Sequence, residues 1–466
     1  MLDVLVIGGG PAGVLAALRA GDLGARTALI TRDQFGGMAA TDGLVPVRTL
    51  AHAARLMRDA RQLGQYGINV GEAVLDYGKL LERVREVTSE VRAHSLLRQQ
   101  INAVAADIYE AVGPVHFVDA HTIANAEGLK LFAKNIIVCT GGSSRRLNVP
   151  GSDLTVTHSD AWKLKTVPQS MLVIGAGATG VQVASIFNAF GSKVQVFQTG
   201  PRILPGEDED VSAEVAKAFR ESGIEVREDF GAIDSFEKTP SGVRMFFSKN
   251  GVHNSAEATL VVAAIGWKAN TEGLNLDKAG IEIDARGFIR VDEFLRTSAN
   301  HIFAAGDVTG QLLLAPQALH AGFLAATNAV RGPTMPTCDQ VAPIGSFTDP
   351  EYAQVGLTEV KARESCEVVV ATVRFDATTR PIIDGRTAGF CKLIVARQTR
   401  KILGCHVVGE RAVDIVQLAA VAIAGEMQID ELAHVPLSFP TYAGVLSRAA
   451  ASIARRLNLN VHWQES

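Results

Sequence analysis

Val4-Leu5-Val6-Ile7-Gly8-Gly9-Gly10-Pro11-Ala12-Gly13 decides the reading of this chain, and Met171-Leu172-Val173-Ile174-Gly175-Ala176-Gly177-Ala178-Thr179-Gly180 repeats its grammar. Four apolar residues predict a buried strand, the glycines a tight turn, and the segments after them a helix, Val14 to Leu23 in the first case and to about Phe190 in the second. In such a turn the first glycine (Gly8, Gly175) permits the bend, and the second (Gly10, Gly177) lets backbone amides approach a pyrophosphate. The third (Gly13, Gly180) lets helix and strand pack closely, while the helix N-terminus offers partial positive charge. One such match is weak evidence. Two, each set between a strand and a helix and a domain's length apart, predict two Rossmann-like dinucleotide-binding units.

Outward from these motifs, Thr49 to Leu63 and Tyr77 to Gly113 read as helical. Val115 to Asp119, Thr122 to Ala124, Leu129 to Phe132 and Asn135 to Val138 read as a meander of short strands. Ala258 to Ala264 and Ile302-Phe303-Ala304-Ala305 are further apolar strands, the latter running into Gly306-Asp307. From about Pro343, strands around Ala371, Cys391 and Leu403, followed by helices near Asp414 and Val445, predict a separate α+β domain. The fold class is thus α/β, with two dinucleotide-binding domains and a C-terminal α+β domain.

Composition bounds the function. At 466 residues the chain implies about three domains of ordinary size, and 47% hydrophobic with 20% charged residues is globular composition. A net charge of -4 argues against a general polyanion binder, so no nucleic-acid partner is expected. The first strand begins at Leu2 with no secretory leader before it, which leads us to expect a cytoplasmic protein. Cys139, Cys338, Cys366, Cys391 and Cys405 show neither CxxC nor metal-ligand spacing, so we expect no metal and read them mostly as small buried hydrophobes. The most apolar helical stretch, Ile415 to Gly425, is far shorter than the roughly 20 residues of a bilayer span, so no membrane span is expected.

The second strand of each unit normally ends in a carboxylate that holds the adenosine ribose. Eighteen residues beyond the last motif glycine stand Thr31 and Gln198, both neutral. Asp33 is the nearest substitute in the first unit. In the second, Gln198-Thr199 tolerates a ribose with or without a 2′-phosphate, and Arg202 is the cation that would reach such a phosphate, which leaves NADH and NADPH both open.

The order of further landmarks resembles the pyridine nucleotide-disulfide oxidoreductases, in their glutathione reductase, lipoamide dehydrogenase and mercuric reductase branch. Phe35-Gly36-Gly37, Cys139-Thr140-Gly141-Gly142, the second glycine motif and Phe303 to Gly310 come in that family's order. So do Arg380-Pro381, Gly389 to Leu393 and Ile402-Leu403-Gly404 of its dimerisation domain. The resemblance implies FAD in the first unit, a nicotinamide nucleotide in the second, and a homodimer. It divides the chain into an FAD-binding domain (1-150 and 271-335), an NAD(P)-binding domain (151-270) and a dimerisation domain (336-466). It implies that Gly37, Thr140 and Gly141 lie at the cofactor, that Asp307 binds the ribityl chain, and that the helix starting near Ala315-Pro316 points its N-terminus at the flavin pyrimidine edge.

The same resemblance shows what is altered. The family's GGTCxNxGCxPSK segment is here Gly36-Gly37-Met38-Ala39-Ala40-Thr41-Asp42-Gly43-Leu44-Val45-Pro46-Val47-Arg48, with Ala39 and Leu44 at the cysteine positions. Arg48 replaces the lysine near the flavin, Gln182 the glutamate paired with it, and Ala178 the nicotinamide-gating tyrosine. The HPTxSE-like segment of relatives becomes Phe439-Pro440-Thr441-Tyr442-Ala443-Gly444, so both histidine and glutamate are lost. A dithiol relay needs a thiolate, a partner sulfur and a base, and none remains.

The expectation is therefore an FAD-dependent NAD(P)H oxidoreductase without a redox disulfide, passing electrons to a small-molecule acceptor such as a quinone or another aromatic compound. A soluble transhydrogenase, a flavin oxidase or oxygenase, and a redox-silent nucleotide-binding protein are the alternatives. The candidate catalytic groups are Arg48, which equally stays as a working cation or merely fills the lysine's place, Asp42, though a loop aspartate beside Gly43 is more often a turn former, and His434, though a histidine on a loop or helix end is more often merely exposed. Ser438 and Tyr442 are nearby polar groups, and His320 is expected on a helix surface.

Overall fold

The computed structural model describes residues 1–41, 43–94, 103–104, 106–337 and 341–459. It contains two compact units. One comprises Met1–Leu50, Asp76–Arg145 and Gly266–Asp339; the other comprises Ala51–Leu75, Arg146–Ile265 and Gln340–Ser466.

The first unit is built on a parallel sheet in the order Asp107–Tyr109, Thr27–Ile30, Leu2–Ile7, Lys130–Val138, Ile302–Ala304. Val4 and Val6 face one side and Leu5 and Ile7 the other, as a strand's period of two requires, and all four are fully or nearly fully buried. The Val4 face is covered by helices Pro11–Asp22 and Ala315–Arg331, which meet so closely that a Cβ at Gly322 would lie 2.1 Å from the Ala12 carbonyl oxygen. The Leu5 face packs against Phe117, Ile123, Leu276 and Phe288. The expected meander is present, but its last two strands are one continuous strand, Lys130–Val138, whose first half pairs antiparallel with Thr122–Asn125 and whose second half joins the parallel sheet. The helix read over Tyr77 to Gly113 is also corrected. It spans Tyr77–His94, and Asp107–Tyr109 is a strand paired with Thr27–Ile30, three residues being too few to show a period.

After Lys130–Val138 the chain leaves this unit through Gly142–Ser144 and re-enters through Trp267–Ala269. These two strands pair antiparallel with Ser144 opposite Trp267, and Arg145 N donates to Gly266 O (2.9 Å).

The second unit holds the repeated motif in a parallel sheet ordered Glu225–Glu228, Lys193–Gln198, Ser170–Ile174, Leu260–Ala263, Val156–Thr157. An antiparallel meander, Ala232–Thr239, Gly242–Lys249 and Val252–Ala258, packs beside it through Phe197, Phe230 and Phe247, whose rings meet edge to face at 5.2 to 5.5 Å. The C-terminal part is an antiparallel sheet ordered Ile344–Ser346, Tyr352–Gly356, Ile402–Val408, Phe390–Ala396, Val368–Arg374. Strands at Ala371, Cys391 and Leu403 and helices Ala412–Ala424 and Gly444–Arg456 stand where the pattern predicts them.

The two faces of that sheet differ in kind. One, with Val355, Leu393, Val395 and Val407, is a dry core against helices Ala412–Ala424, Ile429–His434 and Gly444–Arg456. The other carries a buried polar row in which Gln354 stands opposite His406 and His406 opposite Lys392. Lys392 is 4% exposed, and its Nζ lies 2.9 Å from Asp208 Oδ1, 2.6 Å from Asp210 Oδ2 and 2.7 Å from Glu359 Oε2. These partners hold the ammonium charged, above the usual lysine range, against the opposing effect of burial.

Among the described residues no helix is long and apolar enough to cross a membrane, and no group of three or more His, Cys, Asp or Glu could hold a metal. Cys139, Cys391 and Cys405 are buried as expected; Cys366 is exposed, at the end of a surface helix, and Cys338 lies outside the described residues.

Candidate functional site

Each glycine turn is tight at its ends and open in its middle. A Cβ at Gly8, where φ is +116°, would lie 2.1 Å from the Cys139 carbonyl oxygen, and one at Gly13 would lie 1.7 Å from Gly8 O. At Gly10 nothing lies within 4 Å. The second turn repeats this, with 2.4 Å from Gly175 to Ala264 O, 1.8 Å from Gly180 to Gly175 O, and open space at Gly177. Helices Pro11–Asp22 and Ala178–Ala189 start from these turns without a side-chain cap, so their first amides are left to a ligand or solvent with the helix dipole behind them. This is the geometry that takes a pyrophosphate.

Other predicted residues gather around the first turn. Gly36 N donates to Gly9 O (3.0 Å), and a Cβ at Gly37 would stand 2.7 Å from Gly10 Cα. Thr140 and Gly141 are locked to Asn270, whose side chain donates to Thr140 O (3.0 Å) while its backbone N donates to Gly141 O (3.0 Å). Asp307 follows Gly306 at the end of strand Ile302–Ala304. Burial raises its carboxyl above the ordinary range, and it has no side-chain hydrogen-bond partner among the described residues. A largely buried carboxylate left without a donor suits a ligand that brings hydroxyl groups, as the ribityl chain of FAD does. Ala315 opens the helix Ala315–Arg331, again uncapped by a side chain.

The ribose ends depart from expectation. Thr31 is 3% exposed, and its hydroxyl donates to Asp33 O (2.6 Å) and accepts from Ala111 N (3.2 Å), so it is turned into the protein rather than toward a ligand. Asp33 pairs with Arg32 in solvent. The carboxylate of this region is Glu110, at the end of strand Asp107–Tyr109, which accepts from Phe35 N at 2.9 Å. Reading that strand as helix hid it. In the second unit Gln198 Oε1 accepts from Ala176 N (3.0 Å). Arg202 does not reach outward: its guanidinium donates to the carbonyls of Leu204, Pro205 and Glu207 and to Ser212 Oγ, a correction to its expected reach toward a 2′-phosphate.

Of the catalytic candidates, Arg48 belongs to the first unit and His434 to the second. Arg48 is half-buried in helix Leu44–Gln62, which begins with the half-exposed Leu44; Ala39 lies in the short helix Gly37–Thr41, and Asp42 falls outside the described residues. His434 is exposed at the end of helix Ile429–His434 with Nδ1 2.6 Å from Asp430 O of its own helix, and no carboxylate pairs with it among the described residues. Gln182 donates to Ala178 O one turn back, Ser438 and His320 are exposed, and Phe439 is 82% exposed. Tyr442 donates to Asp384 Oδ2 (2.9 Å) beside Arg380. Tyr442 also borders a cavity of about 460 Å³ in the second unit, with Arg55, Asp59, Arg386 and Glu410. The guanidinium groups of Arg55 and Arg386 are paired there with Glu410 and Asp59. Three of the four described thiols are sealed from substrate, since burial pushes Cys139 up to about 12 and Cys391 and Cys405, 3.9 Å apart, sit in the dry core, while Cys366 is exposed at the end of helix Glu359–Ser365.

Comparison with known proteins agrees with this frame. Residues 2–322 match the family model described as pyridine nucleotide-disulphide oxidoreductase, and residues 342–450 match that family's dimerisation domain. A dihydrolipoyl dehydrogenase of Zymomonas mobilis is 33% identical, covering 98% of this chain and 99% of the relative. A mercuric reductase of Bacillus cereus is 31% identical over 96% of this chain and 70% of its own. Among solved structures, the HOCl-induced flavoprotein disulfide reductase of Escherichia coli in its Cu(II) complex superposes with a TM-score of 0.85 at 24% identity, covering 97% of this chain and 99% of that one, which shows a shared fold. With both family models matched in sequence order across nearly its whole length, the chain belongs to the pyridine nucleotide-disulphide oxidoreductases, a family of FAD-dependent enzymes that use NAD(P)H.

Proposed function

We propose that this protein is an FAD-dependent NAD(P)H oxidoreductase whose electron acceptor is not a disulfide. The observation that carries the reading is the segment from Gly36 to Arg48, which holds Ala39 and Leu44 where a dithiol relay would need its two sulfurs. When bound, FAD supplies a two-electron redox centre able to accept hydride and release electrons singly or in pairs. The chain's own residues bind and shape: Gly8, Gly10 and Gly13 cradle one pyrophosphate, Gly175, Gly177 and Gly180 the other, and Asp307 takes ligand hydroxyls. Arg48 keeps a fixed positive charge on the altered segment, while Ala39 and Leu44 give it hydrocarbon surface suited to a flat acceptor such as a quinone. In this reading 1-150 and 271-335 form the FAD-binding domain, 151-270 the NAD(P)-binding domain and 336-466 the dimerisation domain. The working assembly is a homodimer, for which the exposed Ile382, Ile383, Leu418, Val421 and Phe439 provide apolar surface.

The test is anaerobic reduction of the flavin-loaded protein by NADH and by NADPH, then reoxidation by quinones, oxygen, NAD analogues and disulfides. Bleaching of the yellow protein followed by quinone turnover that survives thiol alkylation supports the reading. Fast turnover with a disulfide refutes it.

A further inference from the structure

We propose that the second dinucleotide unit selects NADH over NADPH, and that Arg202 positions the glycine turn instead of binding phosphate; this rests on the NAD(P)H-dependent reading above. The ribose end of that unit is the C-terminal end of strand Lys193–Gln198, and its chemistry is set by what happens at Ala176, the residue between Gly175 and Gly177. Both backbone groups of Ala176 are engaged. Its N–H donates to Gln198 Oε1 (3.0 Å), and its carbonyl accepts from Leu204 N (2.8 Å). Because a backbone N–H can only donate, the Gln198 amide has one orientation, with its oxygen on the turn and its NH2 left for other acceptors.

Leu204 reaches Ala176 because Arg202 ties its loop together. One guanidinium nitrogen donates to Leu204 O (3.4 Å), Glu207 O (3.0 Å) and Ser212 Oγ, and the other donates to Pro205 O (3.2 Å). Arg202 therefore supports the loop that supports the turn.

The remaining cations near this end are paired as well. Gln198 stands opposite Glu228 in the sheet, and Glu228 accepts from Ile203 N (2.9 Å) and Arg220 (2.7 Å). Arg227 pairs with Glu225 (2.6 Å) and lies over the Phe197 ring, and Lys249 pairs with Asp229 (2.6 Å). A 2′-hydroxyl meets a neutral amide here. A 2′-phosphate meets the same amide beside the Glu228 carboxylate, and the guanidinium groups described near it, Arg220 and Arg227, are already committed to Glu228 and Glu225.

The experiment is calorimetric titration of the flavin-loaded protein with ADP-ribose and with 2′-phospho-ADP-ribose, which carry the discriminating end and cannot reduce flavin. ADP-ribose should bind at least tenfold more tightly. Arg202→Ala should weaken both probes by a similar factor and leave their ratio unchanged, with Arg202→Lys as the milder variant. Gln198→Glu should widen the ratio by about a further tenfold, since it sets a charge against the phosphate. Equal or tighter binding of the 2′-phosphorylated probe overturns the preference, as does a loss confined to that probe in either Arg202 variant. Binding of neither probe overturns the nucleotide-binding reading of the unit itself, and the preference with it.

Discussion

Glu207→Gln should stabilise this protein by an amount that grows as pH rises from about 4.5 to about 7 and is constant above that. Glu207 precedes helix Glu209–Glu221 with 8% of its surface exposed, and its Oε2 is buried without a hydrogen-bond partner. Burial pushes the carboxyl up from 4.5 to about 7, with the Arg202 guanidinium opposing and the Asp208 carboxylate adding to the rise; the Tyr352 phenol also lies within reach of its charge. The group's folded pKa exceeds its unfolded one, so folding takes up a proton between the two. The stability it allows is fully present below about pH 4.5 and is lost as pH rises through about 7. Once both states are ionised, at pH 8.5, the accumulated loss is about 3 kcal/mol. Glutamine keeps the shape and cannot ionise. The variant should match its parent at pH 5 to within about 1 kcal/mol and exceed it by about 3 kcal/mol at pH 8.5, a rise in melting temperature of about 6 °C for a domain-sized unit. Scanning calorimetry of the flavin-loaded protein at the two pH values reads this directly. The same offset at both, or a less stable variant at pH 8.5, would refute the assignment of Glu207 as a buried carboxyl without compensation.

Lys392→Met should destabilise the second unit by about 3–5 kcal/mol in thermal or denaturant unfolding, because it leaves Asp208, Asp210 and Glu359 without their shared cation. Gly13→Ala should yield protein without the yellow absorbance, since the added methyl would stand 1.7 Å from Gly8 O inside the turn. Asp307→Leu should weaken reconstitution of the flavin-free protein with FAD by roughly 10- to 100-fold. It should not lower that protein's melting temperature, as the carboxylate has no internal partner to lose. Thiol titration of the native protein should lose one fast-reacting group in Cys366→Ser, while Cys139, Cys391 and Cys405 react only on unfolding.

What the sequence disclosed were features whose cause is local. A glycine motif is legible because the clash that selects its first and third glycines comes from backbone a few residues away or on the adjoining strand, and the same rule wrote it twice. The four-residue apolar runs likewise announce buried parallel strands. Thr31, Arg202 and Glu110 were not legible in the same way, because what each does depends on which distant atom it meets: Ala111 N, the carbonyls before helix Glu209–Glu221, and Phe35 N. The strand Asp107–Tyr109 is held by pairing rather than by its own pattern. Lys392 reads as an unremarkable strand lysine until the sheet sets it against three carboxylates contributed by two distant segments.

The paired strands Gly142–Ser144 and Trp267–Ala269 bring the ends of a long intervening segment to neighbouring positions in one ladder, about 5 Å apart. Residues 146–265 are, in engineering terms, a long insertion between the two strands of a hairpin. A two-residue turn joining Arg145 to Gly266 would close the same ladder, and every strand of the first parallel sheet would keep its neighbours. The strand pairing of the first sheet is thereby independent of residues 146–265, which pack instead with residues 340–466 in the second unit.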